Sequence, residues 1–511
     1  MKNLLITLSL FLTSLYLTAQ APSIEWQISL GGSGDDYAHS IQQTTDGGYV
    51  VAGRSNSTDG NVTGNHGNPD YWVVKLDSTG TIEWQKSFGG TGWEVAYFIQ
   101  QTTDGGFVVA GYSNSTDGNV TGNHGSSDYW VVKLSSIGVL EWQKSLGGTG
   151  ADYARVIKQT SDRGYIAAGY SNSLDGDVTG NHGGNDYWVV KLDSIGTIEW
   201  QRSLGGSGFD IAESIQQTAD GGYVVAGGSE YNDGDVTGNH GLPDYWVVKL
   251  SSTGVLEWQR SLGGTGEDVA RSIQQTIDGG YIVVGSSPSI DGDVIGNHGE
   301  YDYWVVRLDS TGTIEWQKCL GGTGYDMAGY IQQTADGGFV VAGNSKSNDG
   351  DITGNHGSSD YWVVKLDSIG IIEWQRSLGG TGIDFAHSIQ QTPDGSYVVA
   401  GYSNSADGDV TGNHGIYDYW VVKLSSFIGV NEITELNEFS VYPNPTSNQI
   451  RLKANTNLLG SSYTIYDNMG KSVISGQINA PQMLIELGNL SDGIYLLSIG
   501  EHKQSFKVIK N

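Results

Sequence analysis

Apolar and polar residues alternate along this chain in short bursts, and the bursts recur. Ser40–Thr44 reads SIQQT and Tyr49–Ser55 reads YVVAGRS, with TDGG between them. Tyr71–Leu76 reads YWVVKL and Thr81–Phe88 reads TIEWQKSF, with DSTG between them. Short runs rich in Val, Ile, Tyr and Trp, punctuated by Asp-Gly and Thr-Gly, predict four antiparallel strands joined by tight turns. No segment keeps a helical period over more than about ten residues.

The unit repeats without slippage. EWQ tryptophans fall at 26, 84, 142, 200, 258, 316 and 374, and DYW tryptophans at 72, 130, 188, 246, 304, 362 and 420, always 58 apart. These are 14 of the 15 tryptophans, and Trp93 is the exception. Seven equal repeats of four strands predict an all-β fold, a seven-bladed β-propeller. The array opens with Ile24-Glu25-Trp26-Gln27, a fourth strand lacking its first three, and ends with Tyr417–Leu424, a third strand lacking its fourth. The N-terminal strand is therefore expected to complete the last blade and remove both free edges. The periodic tryptophans are expected to pack between blades.

LGGSGDDYAHSIQQTTDGGYVVAG followed by DYWVVKLDSTGTIEWQ resembles a bacterial β-propeller repeat family whose members are read as seven-bladed. The similarity covers about Ile24 to Leu424; it implies a fold and very little about activity.

Other signals lie outside the array. Residues 1–19 read as a secretory signal peptide: one lysine, an apolar run and small residues before Gln20. Residues 425–438 read as a linker, acidic from Val430 to Glu438. The sole cysteine, Cys319, excludes an internal disulfide. Beyond the linker, VYPNPTSNQI, YTIYDNMGK and LSDGIYLLSI follow in order within residues 439–511. These motifs closely resemble the C-terminal sorting domain of type IX secretion in Bacteroidota. The resemblance implies a small immunoglobulin-like β-sandwich, passage across the outer membrane with the type IX machinery as partner, and removal on release or surface attachment. An ordinary binding module is the alternative. Charge separates the two parts: of 26 basic and 56 acidic residues, Ile24–Leu424 has 19 and 49, a net −30, whereas Phe439–Asn511 has 6 and 4, a net +2. So acidic a chain repels phosphate backbones and anionic lipid, which argues against nucleic acid as a partner.

The loop DGDVTGNHGGND, Asp175 to Asp186, spaces oxygen donors like a calcium loop. Position 1 is Asp59, Asp117, Asp175, Asp233, Asp291, Asp349 and Asp407 in successive repeats. Position 3 is Asn61, Asn119, Asp177, Asp235, Asp293, Asp351 and Asp409. Position 12 is Asp70, Asp128, Asp186, Asp244, Asp302, Asp360 and Asp418, and position 5 is Thr179 in the third repeat but Ile295 in the fifth. Calcium is one reading. The other is turn chemistry, since Asp-Gly and Asn-His-Gly suit Asx turns and left-handed backbone. No cofactor is otherwise implied, and each NHG histidine lacks the second His or Cys of a transition-metal site.

Strand alternation puts the second-to-third and fourth-to-first loops on one face, and tight turns on the other. On that loop-rich face the otherwise uniform repeats vary. The residue after GG(S/T)G is Asp35, Trp93, Ala151, Phe209, Glu267, Tyr325 or Ile383, and the residue after the second strand's glycine is Arg54, Tyr112, Tyr170, Gly228, Ser286, Asn344 or Tyr402. Such variety fits a ligand face centred on Trp93, Phe209, Tyr325, Tyr112, Tyr170, Tyr402 and Arg54, or drift at exposed sites. The singular residues His39, His387, Cys319 and Glu213 show no triad or paired-carboxylate spacing, so no enzyme is expected. The expectation is a secreted or surface-attached protein that binds an extracellular glycan or protein. An architectural surface-layer role is the alternative, with a glycoside hydrolase or polysaccharide lyase behind it.

Overall fold

The computed structural model describes residues 21–426, 439–444, 446–454, 458–467, 471–499 and 504–510. The signal-peptide reading and most of the linker lie outside the described residues. Two compact units divide at residues 428 and 429.

The first unit is seven four-stranded antiparallel sheets, each formed by consecutive strands except the last. In the first blade the strands, from inner to outer, are Asp36–Gln43, Tyr49–Ser55, Asp70–Leu76 and Ile82–Phe88. The seventh blade orders its strands Asp384–Gln391, Tyr397–Ser403 and Asp418–Leu424, then closes with Ile24–Leu30. Ser29 there pairs with Trp420 and Leu30 with Tyr419, so the ring closes as its sequence predicts.

Adjacent blades share one core each. Val50, Ala52, Tyr71 and Val73 of the first blade pack with Ile99, Phe107, Val109 and Trp130 of the second. The third strands are buried along their whole length because both faces meet a neighbouring blade. Tyr71 lies tilted against Trp130, with centroids 4.5 Å apart, and its hydroxyl donates to the Trp130 carbonyl oxygen. Tyr419 donates likewise to Trp72 across the closure. The EWQ tryptophans lie further out against the next blade's aromatics, as Trp84 does against Phe107. Each DYW indole N–H donates to the glutamine of the EWQ strand, Trp72 to Gln85 for example.

One boundary differs from the sequence expectation. The inner strand starts at Asp36 rather than Ser40, and its register slips between Ala38 and Ser40. The strand thereby gains residues 36 to 39, and the bulge spoils simple alternation. It also presses the Tyr37 carbonyl against the second strand: a Cβ on Gly53 would lie 1.9 Å from that oxygen. Glycine is therefore obligatory where each YVVAG-type strand crosses the bulge.

The second unit is a β-sandwich. Phe439–Tyr442, Gln449–Ala454 and Gln482–Glu486 form one sheet. Ser462–Tyr466, Ser472–Gln477, Gly493–Ile499 and Gln504–Lys510 form the other. Ile450, Leu452, Ile465, Leu497 and Val508 fill the core between them.

Candidate functional site

The acidic loops are tied into the face they decorate. Position 1 holds the preceding fourth-to-first loop: Asp59 accepts from the Ser33 amide at 2.7 Å and Asp175 from the Thr149 amide at 2.7 Å. Asp117, Asp233, Asp291, Asp349 and Asp407 do the same. Position 3 accepts from a glycine of that loop, Asn61 from Gly31 and Asp177 from Gly147, while its own amide donates to the glycine carbonyl. Thr179 accepts from Gln201 of the outer strand; where Ile295 replaces it, Gln317 turns to the backbone carbonyl instead.

Position 12 faces elsewhere. Asp186 accepts the His182 amide at 2.8 Å and lies 2.7 Å from His182 Nδ1, and every repeat copies this pair. All seven of these aspartates are buried, and each sits near the acidic residue at or just before the start of an inner strand, as Asp70 does near Glu94 and Asp418 near Asp36. One carboxylate oxygen of Asp36 and one of Asp418 are buried without a hydrogen bond. Burial raises Asp70, Asp210 and Asp244 to about 6, against the opposing pull of histidine contacts on Asp70 and Asp244 and of Ser229 on Asp210. Among the described residues no group of three or more His, Cys, Asp or Glu is arranged to hold a metal ion.

The variable positions gather at the ring axis. Arg54 lies over Tyr37 at 4.5 Å and over Trp93 at 5.9 Å. Tyr402 meets Tyr37 at 4.5 Å and stacks parallel on Phe385 at 5.5 Å. Tyr112 meets Tyr153 at 4.3 Å, and Tyr153 stacks on Tyr170 at 5.1 Å. Trp93, Arg54, Tyr112, Tyr170 and Tyr402 thus join one aromatic arc over the seventh, first, second and third blades. Across the axis the matching positions are Ile211, Gly228, Val269, Ser286, Met327 and Asn344, which are aliphatic, small or amide. Phe209 and Tyr325 stay outside the arc, 57% and 40% exposed, with Tyr325 stacked on Tyr301.

Below the arc is an axial cavity of about 460 Å³, lined by the seven inner strands. The residue after the bulge's alanine faces it, and the seven copies differ: His39, Tyr97, Arg155, Glu213, Arg271, Gly329 and His387. Closure of the ring brings His39 and His387 to 4.8 Å between centroids. Arg155 lies over Tyr97 at 4.3 Å. Glu213 is ion-paired with Arg271 and lies 3.6 Å from Arg155 Nε, a buried donor with no hydrogen bond. Burial lowers both histidines, His387 to about 3 with Arg271 and Arg155 adding repulsion, so both are neutral. Sequence reasoning passed over this ring because it placed residue 39 outside the strand. The signal was present: five residue types over seven copies of one repeat position, His39, Glu213 and His387 being separated by multiples of 58.

The fold and its axial site define a β-propeller with a C-terminal β-sandwich. Residues 440–511 match the family of secretion system C-terminal sorting domains. This is the type IX sorting domain, so the protein is secreted or attached to the cell surface, and that secretion machinery is its partner. A search of curated proteins finds no match. Among solved structures, BamB from Moraxella catarrhalis is 15% identical, covering 79% of this chain and 100% of its own, with a TM-score of 0.38. Sqt1 from Chaetomium thermophilum is 11% identical over 79% of this chain and 98% of its own, TM-score 0.39. PorZ, a surface component of the type IX secretion system of Porphyromonas gingivalis, is 11% identical over 91% of this chain and 69% of its own, TM-score 0.34. Among the described residues no helix is long and apolar enough to cross a membrane.

Proposed function

We propose that this protein is a non-catalytic binding protein that captures an extracellular glycan at the mouth of its axial cavity. The observation that carries the reading is the one-sided aromatic arc: in repeats otherwise alike, Tyr37, Tyr97, Tyr112, Tyr153, Tyr170, Tyr402 and Trp93 collect over four adjacent blades. Sugar rings stack on such faces while their hydroxyls meet the polar groups below. Catalysis is disfavoured because Glu213, the one carboxylate lining the cavity, is engaged by two arginines while both histidines are neutral. The signal peptide, a bacterial propeller repeat family and an origin in Bacteroidota belong to the same reading. An architectural role draws support from the tyrosine–tryptophan contact repeated at every blade junction.

A glycan array probed with the full chain tests the proposal. Trp93→Ala and Tyr402→Ala are expected to weaken the retained glycan by about tenfold or more, and Thr79→Ala on the opposite face to leave it unchanged. Absence of any retained glycan, with self-association at the same concentration, sinks the binding reading in favour of architecture.

A further inference from the structure

We infer that the axial cavity selects an acidic sugar, its carboxylate seated between Arg155 and Arg271 and its ring against the aromatic arc. This rests on the glycan-binding reading and narrows it to a ligand class.

Charge distribution is the first support. The propeller carries 49 acidic residues against 19 basic ones, yet its cavity is lined by Arg155, Lys158 and Arg271 against Glu213 alone. With both histidines neutral, the lining is net +2 inside a body of −30. Apolar walls such as Val156 and Ile215 surround these charges, which strengthens their field on a small anion.

Unused donors are the second support. Among the described residues Arg271 makes one hydrogen bond, to Glu213, and Arg155 Nε has none despite its burial. A guanidinium offers five N–H donors, and one carboxylate cannot occupy ten. A second carboxylate entering from the mouth meets the remaining donors in the paired geometry that arginine favours.

Departure from the repeat is the third. The other six blades place glutamine where Lys158 stands, and those glutamines serve the fold: Gln100 accepts from the Gln159 amide and Gln216 from the Gln275 amide, each at 2.7 Å. Lys158 forgoes that bond and lies 4.5 Å from the centre of the Phe98 ring. At Gly329 the ring lacks a side chain altogether, and a Cβ there would meet the Ala386 and His387 carbonyl oxygens at 3.2 and 3.4 Å. A volume of about 460 Å³ falls in the range of small-ligand cavities, commonly about 300–1,000 Å³.

The test is calorimetric titration of the full chain with trigalacturonate, a hyaluronan tetrasaccharide and sialyllactose, each beside its neutral methyl ester. Sodium acetate and sodium sulfate report on the free anion. At least one acidic sugar is expected to bind about tenfold or more tightly than its ester and than either salt. Arg271→Gln should weaken that binding about tenfold, and Glu213→Gln should tighten it, which a merely structural carboxylate would not do. Lys158→Gln restores the residue of the other six blades, so it keeps the fold and should still lower affinity for the acidic sugar. Equal binding of acid and ester, unchanged affinity in all three variants, or no acidic sugar bound overturns the inference. If a neutral glycan still binds in a Trp93-dependent way, glycan binding stands and the anion site falls; if nothing binds, both fall.

Discussion

The buried carboxylate pairs make stability fall as pH rises. Asp244 is buried beside Asp268, and burial raises it from 3.8 to about 6 although His240 pulls the other way. Below pH 3.8 folded and unfolded chains both hold the proton. Between there and about 6 the unfolded chain releases it while the folded chain keeps it, so folding loses ground as pH increases. The interval is about two pH units, or about 3 kcal/mol at one site at most. Asp244→Asn removes the titration and retains an oxygen for His240 and a donor for Asp268. Relative to wild type, the variant should gain about 2 kcal/mol between pH 4.5 and 7.5. Denaturant unfolding followed by tryptophan fluorescence reads the propeller alone, because all 15 tryptophans lie at or before Trp420. The histidines of the cavity contribute the opposite slope, since His39 and His387 are lowered, but they are common to both proteins and cancel in the difference. A difference that stays flat or narrows with rising pH refutes the proton retained on buried Asp244.

Two further outcomes follow from the backbone and the loops. In the fourth blade Gly227→Ala puts a Cβ 1.9 Å from the Ile211 carbonyl oxygen and should cost about 3 kcal/mol or prevent folding, whereas its neighbour Gly228→Ala meets Val269 at 3.7 Å and the Asp244 carbonyl oxygen at 3.9 Å, ordinary contacts, and should change stability by less than about 1 kcal/mol in the same denaturation assay. Millimolar calcium should leave the melting temperature of the full chain where chelator leaves it, because Asp175, Asp177 and Asp186 have separate protein partners; a site saturated a hundredfold above its Kd would add about 2.7 kcal/mol and a visible rise.

Much of the fold was legible because every structural choice is made seven times. The 58-residue period, the valine-rich third strand and the missing fourth strand at Leu424 each required the closed ring that the sheet order shows. The sorting domain was legible from three ordered motifs. The site was legible only at its rim: Arg54, Tyr112, Tyr170, Tyr402 and Trp93 stood out as variable, and the axis gathers them. Its floor was hidden by the bulge between Ala38 and Ser40, which breaks the alternation by which strands are read. The setting of Asp70 and its counterparts was hidden for a related reason. Loop spacing groups them with Asp59 and Asn61, whereas the blade interface groups them with the next inner strand's acid.

The uniform blade junctions have an evolutionary consequence. Each blade offers its neighbours the same tyrosine, tryptophan and glycine contacts, so a gene that exchanges, duplicates and deletes whole repeats in compensating steps keeps a foldable ring. What such shuffling changes is the cyclic order His, Tyr, Arg, Glu, Arg, Gly, His around the axis. The cavity is thus a seven-letter word written on an invariant frame, and recombination alone, without one point mutation, rewrites its lining.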